Sequence, residues 1–383
     1  MIFLGFILLS CGIFNSNVDT EIKKLYVCLQ AKNQVAVYNT PELKLLKLID
    51  INYSSLGNTP HFVTIDEVNN FWFVTGLDGG YVAQFSLITD ELIDTISIGS
   101  NPALMTIDPI NKTLFCSRMN MNDMPGMGSM GDMGGMGGMD NMIQTNIINE
   151  VHYTNETLSL GRKFILDSNV LHGITYDHNK ENIITASITD DWLYKIPLNN
   201  EPIVSTTMDA SVTEFVTNYP NNLQPIQIIS LADGWIAISC SAFTDGINGQ
   251  MQIWNVNSMS LVAKYEFDDK SIPWHLIKSP VANEIYVVLG GSSGNGGLVC
   301  LTYSENSIIH KWNNLQSDYD AFHGITIDEN GENIYVTSRG NHYLYQFKAV
   351  NGDLVNSIPL GAEAQIVSPG GLSIMQNICT NCE

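Results

Sequence analysis

Apolar and polar residues alternate in short runs along most of the chain, and Gly, Asp and Asn punctuate the runs. Between residues 71 and 99 "FWFVTG", "YVAQFSL" and "LIDTISIG" follow one another, and between 333 and 360 "NIYVTS", "YLYQFK" and "LVNSIPL" repeat the arrangement. Two-residue alternation rich in β-branched and aromatic side chains, closed off by turn formers, predicts strands. Helical periodicity is largely absent.

One phrase returns seven times and organises the runs. Its copies are "PHFVTID" (60–66), "PALMTID" (102–108), "LHGITYD" (171–177), "PIQIISL" (225–231), "WHLIKSP" (274–280), "FHGITID" (322–328) and "PGGLSIM" (369–375). Taking the second residue of each, the steps are 42, 69, 54, 49, 48 and 47 residues, and the long second step contains a Met-rich insertion. Each copy opens a unit of four short strands over about 45 residues, the pattern of a propeller blade. The seventh copy has no strands after it, while the N-terminal part supplies "LYVCLQ", "QVAVYN" and "LLKLIDI" with no copy before them. Three strands from the start and one from the end complete a blade, and closure removes the exposed sheet edges of an open array. The expected fold is all-β: a seven-bladed β-propeller over 24–376, four antiparallel strands per blade, closed by N-terminal strands pairing with a C-terminal inner strand.

The phrases "HGITYD…NIITAS…WLYKI" and "HGITID…GENIYVTS…YLYQF" resemble the YVTN-type β-propeller repeat. The resemblance covers nearly the whole chain after its first residues and implies the same fold. That family and its neighbours include lactonase-like enzymes, binding modules and surface proteins, so the resemblance leaves the activity open.

Lys+Arg 17 against Asp+Glu 39 gives a formal net charge of −22. Such a field repels phosphate backbones and anionic headgroups, so neither nucleic-acid binding nor electrostatic membrane docking is expected, and cations are favoured. A solubilising acidic surface is the plainer reading of the same charge. The N-terminal "MIFLGFILLSCG" is too short to span a bilayer and has the form of a signal-peptide core. Leu8, Leu9, Ser10 and Cys11 resemble a bacterial lipoprotein lipobox. This implies a signal peptide over 1–10, a lipidated Cys11, a tether over 11–23, and an exported periplasmic or outer-membrane lipoprotein that touches the membrane only through its lipid. A buried apolar N-terminal strand is the alternative. Cys28, Cys116, Cys240 and Cys300 lie singly in β-like runs and read as small buried hydrophobes. Cys379 and Cys382 form "CTNC" in the tail 377–383, a pair able to close as a disulfide in an oxidising compartment. Glu383 and not His follows, so haem attachment is not expected.

Four of the eight histidines fall on the second position of the phrase: His61, His172, His275 and His323. Ala103, Ile226 and Gly370 fill the other three. The strand after a blade boundary is innermost, so these positions are expected to converge at one mouth of the central channel. Three or four imidazoles there can hold one metal ion, and imidazole suits Cu, Zn, Fe or Ni. Equally, each can bond the backbone of a neighbouring blade and seal the channel.

The insertion holds nine of the 15 methionines: Met119, Met121, Met124, Met127, Met130, Met133, Met136, Met139 and Met142. Thioether sulfur is a soft, neutral ligand that selects Cu(I) and forms no disulfide. Asp123, Asp132 and Asp140 add negative charge, and the run over 119–142 resembles the methionine motifs of exported copper-handling proteins. It follows "LFCSRM", the expected second strand of blade two, and precedes "NIINEVHY", its third, which puts it on the histidine face. The N-terminal tether and "CTNC" are expected on the opposite face. A ligand-free low-complexity loop, or an adhesive surface for a partner, are the alternatives.

Other polar residues carry plainer expectations. Arg339 and His342 in "SRGNHY" either point towards the same mouth or, on the plainer reading, stand in a solvated turn, and Arg118 reads as a partner for acidic neighbours. His152 and His310 read as surface residues, and His178 as part of the opposite turn. Asp66, Asp108, Asp177 and Asp328 should cap the turns after the inner strands. The leading expectation is an exported, lipid-anchored, monomeric propeller that binds copper through a histidine ring and a Met-rich arm and passes it to an envelope protein partner. Histidines at the axis are similar in outline to those of the propeller enzymes nitrous-oxide reductase and methanethiol oxidase, although four are too few for a multi-copper cluster of the reductase kind. The rivals are a non-catalytic scaffold for protein or polysaccharide, and a lactonase-like or copper-dependent enzyme. No phosphate loop, serine-nucleophile elbow or zinc-protease helix is visible.

Overall fold

The computed structural model describes residues 23–119, 146–168, 170–209, 223–232, 234–242, 247–268, 271–291, 296–361 and 365–375. Their strands form seven four-stranded antiparallel sheets, and in six of them the order from inside to outside follows the chain. The inner strands of blades one to six are Pro60–Asp66, Pro102–Asp108, Leu171–Asp177, Pro225–Ala232, Pro273–Lys278 and Phe322–Ile327. Blade seven is composite: Pro369–Ile374 is innermost and pairs with Lys23–Leu29, which leads to Gln34–Thr40 and Leu45–Asp50. Each inner strand packs beside the next around the ring, so the molecule is the expected seven-bladed propeller with its expected closure.

Each blade is covered on both faces by its neighbours, so its inner half hides both side-chain sets of every strand. The second strand of blade one, Phe71–Gly76, is buried at every position, whereas the outer strand Leu92–Ser97 is largely open. The core is accordingly a series of inter-blade layers. Between blades seven and one, Trp72 stacks on Phe85 with ring centroids 4.0 Å apart, and Tyr26 lies 5.0 Å from Trp72. Each such ring contributes about 1.5–3 kcal/mol by leaving water. The four cysteines at 28, 116, 240 and 300 are free and buried in these layers. Asp66, Asp108, Asp177 and Asp328 do cap the turns after the inner strands, accepting backbone N–H groups from Asn69, Asn111, Asn179 and Glu332.

Strand pairing corrects one alignment. Pro60, Pro102, Leu171, Pro225, Pro273, Phe322 and Pro369 each face the end of the neighbouring second strand. The fifth copy therefore begins at Pro273, so Trp274 and not His275 is the counterpart of His61. His275 stands one residue further on, inside the bulge that separates Pro273 from Leu276 in the pairing.

The residue just before the inner strand is left-handed in six blades: Thr59, Asn101, Val170, Gln224, Ala321 and Ser368, with φ between 41° and 56°. Only Asn is at ease there, and β-branched Thr59 and Val170 are strained. Each of these carbonyls accepts the N–H of the residue that follows the second strand: Leu77, Met119, Ile188, Ser241, Arg339 and Gln30 respectively. Gly290 makes the same bond to Ile272 in blade five. Seven second-strand exits thus form a rim above the seven inner-strand starts.

Candidate ligand site at the channel mouth

Two devices set the inner strands at the distance that brings the histidines together. The first is a hydroxyl near the end of a second strand that donates to a carbonyl of the next blade. Thr75 reaches Ala103 O at 3.0 Å, Ser117 reaches His172 O at 2.6 Å, Thr337 reaches Gly370 O at 2.9 Å, and Ser239 bonds Trp274 O. The second is a glycine where two backbones touch. A Cβ on Gly324 would lie 2.7 Å from Gly370 O, and one on Gly173 would lie 3.0 Å from Ile226 O.

The four imidazoles, which come from blades one, three, five and six, meet as a result. Ring centroids are 6.1 Å apart for His61–His172, 6.1 Å for His172–His275, 4.8 Å for His275–His323 and 6.2 Å for His61–His323. All four are between 2 % and 4 % exposed. Trp274 closes one side, 5.6 Å from His323. Beneath them a cavity of about 260 Å³ runs among the inner strands, lined by His275, Thr64, Thr106, Gln227, Thr326 and Ser373.

The hydrogen bonds assign protons to two of the rings. His172 Nδ1 lies 2.6 Å from Ile226 O, so it donates and its Nε2 keeps the lone pair. On His61 the order is reversed. Arg339 donates to Gln30, and because arginine can only donate, the Gln30 atom facing it is the amide oxygen. The amide nitrogen of Gln30 then donates to His61 Nδ1 at 2.6 Å, which leaves the hydrogen of His61 on Nε2. Nε2 of His61, Nε2 of His275 and Nδ1 of His323 are buried without a hydrogen-bond partner among the described residues.

Burial keeps all four rings neutral. It pushes His172 down to about 4 and holds His61, His275 and His323 well below the ordinary histidine value, with neighbouring imidazoles and the Arg339 guanidinium adding to the effect on these three. Arg339 itself is lowered to about 10 by burial and stays charged at neutral pH.

Neutral imidazoles can ligate a metal without losing a proton, so the donor type fits a soft ion. Among the described residues, however, no three His, Cys, Asp or Glu side chains are placed to hold an ion as they stand. Ligation would require rings to turn.

The rim is two-sided. Leu77, Met119 and Ile188 belong to an apolar cluster with Ala103, Ile226 and Trp274, whereas Gln30 and Arg339 form the polar side. Met119 is thus on the histidine face, its side chain among hydrocarbon neighbours. The positions from Met121 to Met142 lie outside the described residues, as do Cys11, Cys379 and Cys382. Their attachment points, Met119 after the second strand of blade two and Asn146 before its third, are on the expected face.

Of its two expected placements Arg339 takes the inward one rather than the solvated turn, donating to Gln30. Arg118 bonds the backbone and hydroxyl of Ser100 at 2.8 and 3.0 Å and, among the described residues, no acid. His152, His178 and His310 are exposed, as expected. Gln30 had no place in the sequence reading, and its signal is positional: it is the residue that leaves the second strand of blade seven, as Arg339 leaves that of blade six.

No family model and no curated protein matches the sequence, so the resemblance to the YVTN-type repeat rests on its residues. Solved structures match the fold. A 6-phosphogluconolactonase candidate from Bacteroides uniformis is 10% identical with a TM-score of 0.64, covering 93% of this chain and 100% of its own. One from Bacteroides fragilis is 12% identical with a TM-score of 0.62, covering 94% and 99%. A functionally unknown protein from Desulfotomaculum acetoxidans is 12% identical with a TM-score of 0.64, covering 92% and 99%. At these identities the likeness is one of architecture.

Proposed function

We propose that the channel mouth binds copper as cargo, with His172, His275 and His323 as its imidazole ligands and the methionines of 121–142 as a recruiting arm. The observation that carries this reading is the pair of buried, unpartnered nitrogens on His275 and His323, beside the free Nε2 of His172. A buried polar atom without a partner costs about 1–3 kcal/mol, and a ligand that engages it recovers that cost. Neutral ligands beside the positive Arg339 penalise every charge brought in, which favours Cu(I) over a divalent ion.

The same proposal has the protein exported and tethered through Cys11. The described chain ends, Lys23 and Met375, lie on the face opposite the histidines, so the mouth would point away from the membrane and towards an envelope partner able to accept the ion. The lactonase-like reading draws on fold alone, and the inner-strand starts supply imidazole, indole and hydrocarbon where that chemistry needs a carboxylate cluster or a divalent ion. The test is metal analysis after Cu(I) loading under reducing conditions, for the full chain and a variant lacking 119–142. The expected result is a stoichiometric ion in the variant and additional copper in the full chain. A full chain that retains no copper overturns the proposal.

A further inference from the structure

His61 differs from the other three histidines in being held by a relay. Gln30 and His61 are 3 % and 2 % exposed, and the amide bridges blades seven and one. Room for it comes from Gly370, the blade-seven counterpart of His61: a Cβ there would lie 3.2 Å from the Gln30 amide nitrogen and 2.9 Å from His61 O. Arg339 orients the amide from the third side. The end product is an N–H on His61 Nε2 that is buried and has no acceptor among the described residues.

What would satisfy it is an acceptor, and an ionised one gains most, since charge-assisted hydrogen bonds are roughly twice as strong as neutral ones. Two further observations point the same way. The Arg339 charge acts on His61, His275 and His323 together. The unpartnered nitrogens of His275 and His323 have no bond that fixes their tautomer, so each can turn an N–H to an arriving oxygen.

We propose that the Arg339–Gln30–His61 relay makes His61 Nε2–H the fixed donor of a binding site for a small oxyanion of the carboxylate class, and thereby takes His61 out of the metal-ligating set. The anion site needs no metal, whereas the statement about ligands rests on the copper reading. The two halves are compatible when the nitrogens of His275 and His323 turn to the copper ion, because the anion then keeps His61 Nε2–H and the Arg339 charge, and its own charge offsets that of the ion.

The experiment uses the metal-free full-length protein at neutral pH, long-range ¹⁵N–¹H correlation spectra of the histidine rings, and acetate as the probe. His61 is expected as the Nε2–H tautomer, and acetate should move its resonance saturably while leaving exposed His178 and His310 unchanged. Gln30→Leu should mix the two tautomers of His61 and abolish the response. An Nδ1–H tautomer on His61, no saturable response, or an undiminished response in Gln30→Leu each overturns the anion site. For the ligand set, competition titration with Cu(I) should leave His61→Phe within about threefold of the wild-type affinity and weaken His275→Ala by about tenfold or more. Equal losses overturn that half alone. A wild-type protein that binds no copper removes it together with the proposed function, and the acetate measurement still decides the anion site.

Discussion

His172 Nδ1 donates to the carbonyl oxygen of Ile226 at 2.6 Å, tying blade three to blade four while its other nitrogen keeps a lone pair. One side chain thus serves the ring closure and the candidate site together. His172→Ala leaves the Ile226 carbonyl without this partner and should cost about 1–3 kcal/mol of stability, read as a lower denaturant midpoint at unchanged slope.

His323 is expected to respond in the opposite sense. Its Nδ1 is buried without a partner among the described residues, and the ring stands against Trp274 and His275. Replacing an unsatisfied polar group by an apolar one of similar size is close to neutral or stabilising. His323→Leu should therefore keep or raise the melting temperature of the metal-free protein while weakening copper binding. A marked loss of stability would show that the imidazole is held for the fold.

Acid should destabilise the metal-free protein. Because burial lowers the folded-state values of His61, His172, His275 and His323, the unfolded chain binds more protons once the pH falls below the ordinary value of about 6.5. Each ring kept neutral then removes about 1.4 kcal/mol per pH unit, a loss that for His172 continues to about pH 4. Asp190, pushed up to about 6 by burial, works the other way below that pH and offsets one ring's share. Denaturation at pH 7.5, 6 and 5 should show a net fall, shallower in His323→Leu.

Gly324 admits the close approach of blades six and seven. A Cβ there would come within 2.5 Å of Leu372 and 2.7 Å of the Gly370 carbonyl, against 3.0 Å at its counterpart Gly173. Gly324→Ala should cost about 1–3 kcal/mol through overpacking, more than Gly173→Ala, in parallel denaturant titrations.

Blade number, strand order and closure were legible because one phrase recurs with its turn and its following strands. The histidines were legible for the same reason, with one slip. "WHLIKSP" was aligned on its histidine, although Pro273 is the counterpart of Pro60, and a bulge still delivers His275 to the cluster. The relay was not legible. Its members sit where the chain leaves the second strand, and that position holds Leu77, Met119, Ile188, Ser241 and Gly290 in the other blades, so no recurring letter marks it. Nor does sequence choose between the two directions open to Arg339, since the choice depends on the amide waiting in the next blade.

The most direct test of the copper-binding mouth is copper K-edge X-ray absorption on the Cu(I)-loaded variant lacking 119–142. Imidazole ligation by His172, His275 and His323 predicts a nitrogen first shell with the outer-shell scattering of ordered imidazole rings. Copper that washes out of this variant, or a first shell without imidazole, would contradict it.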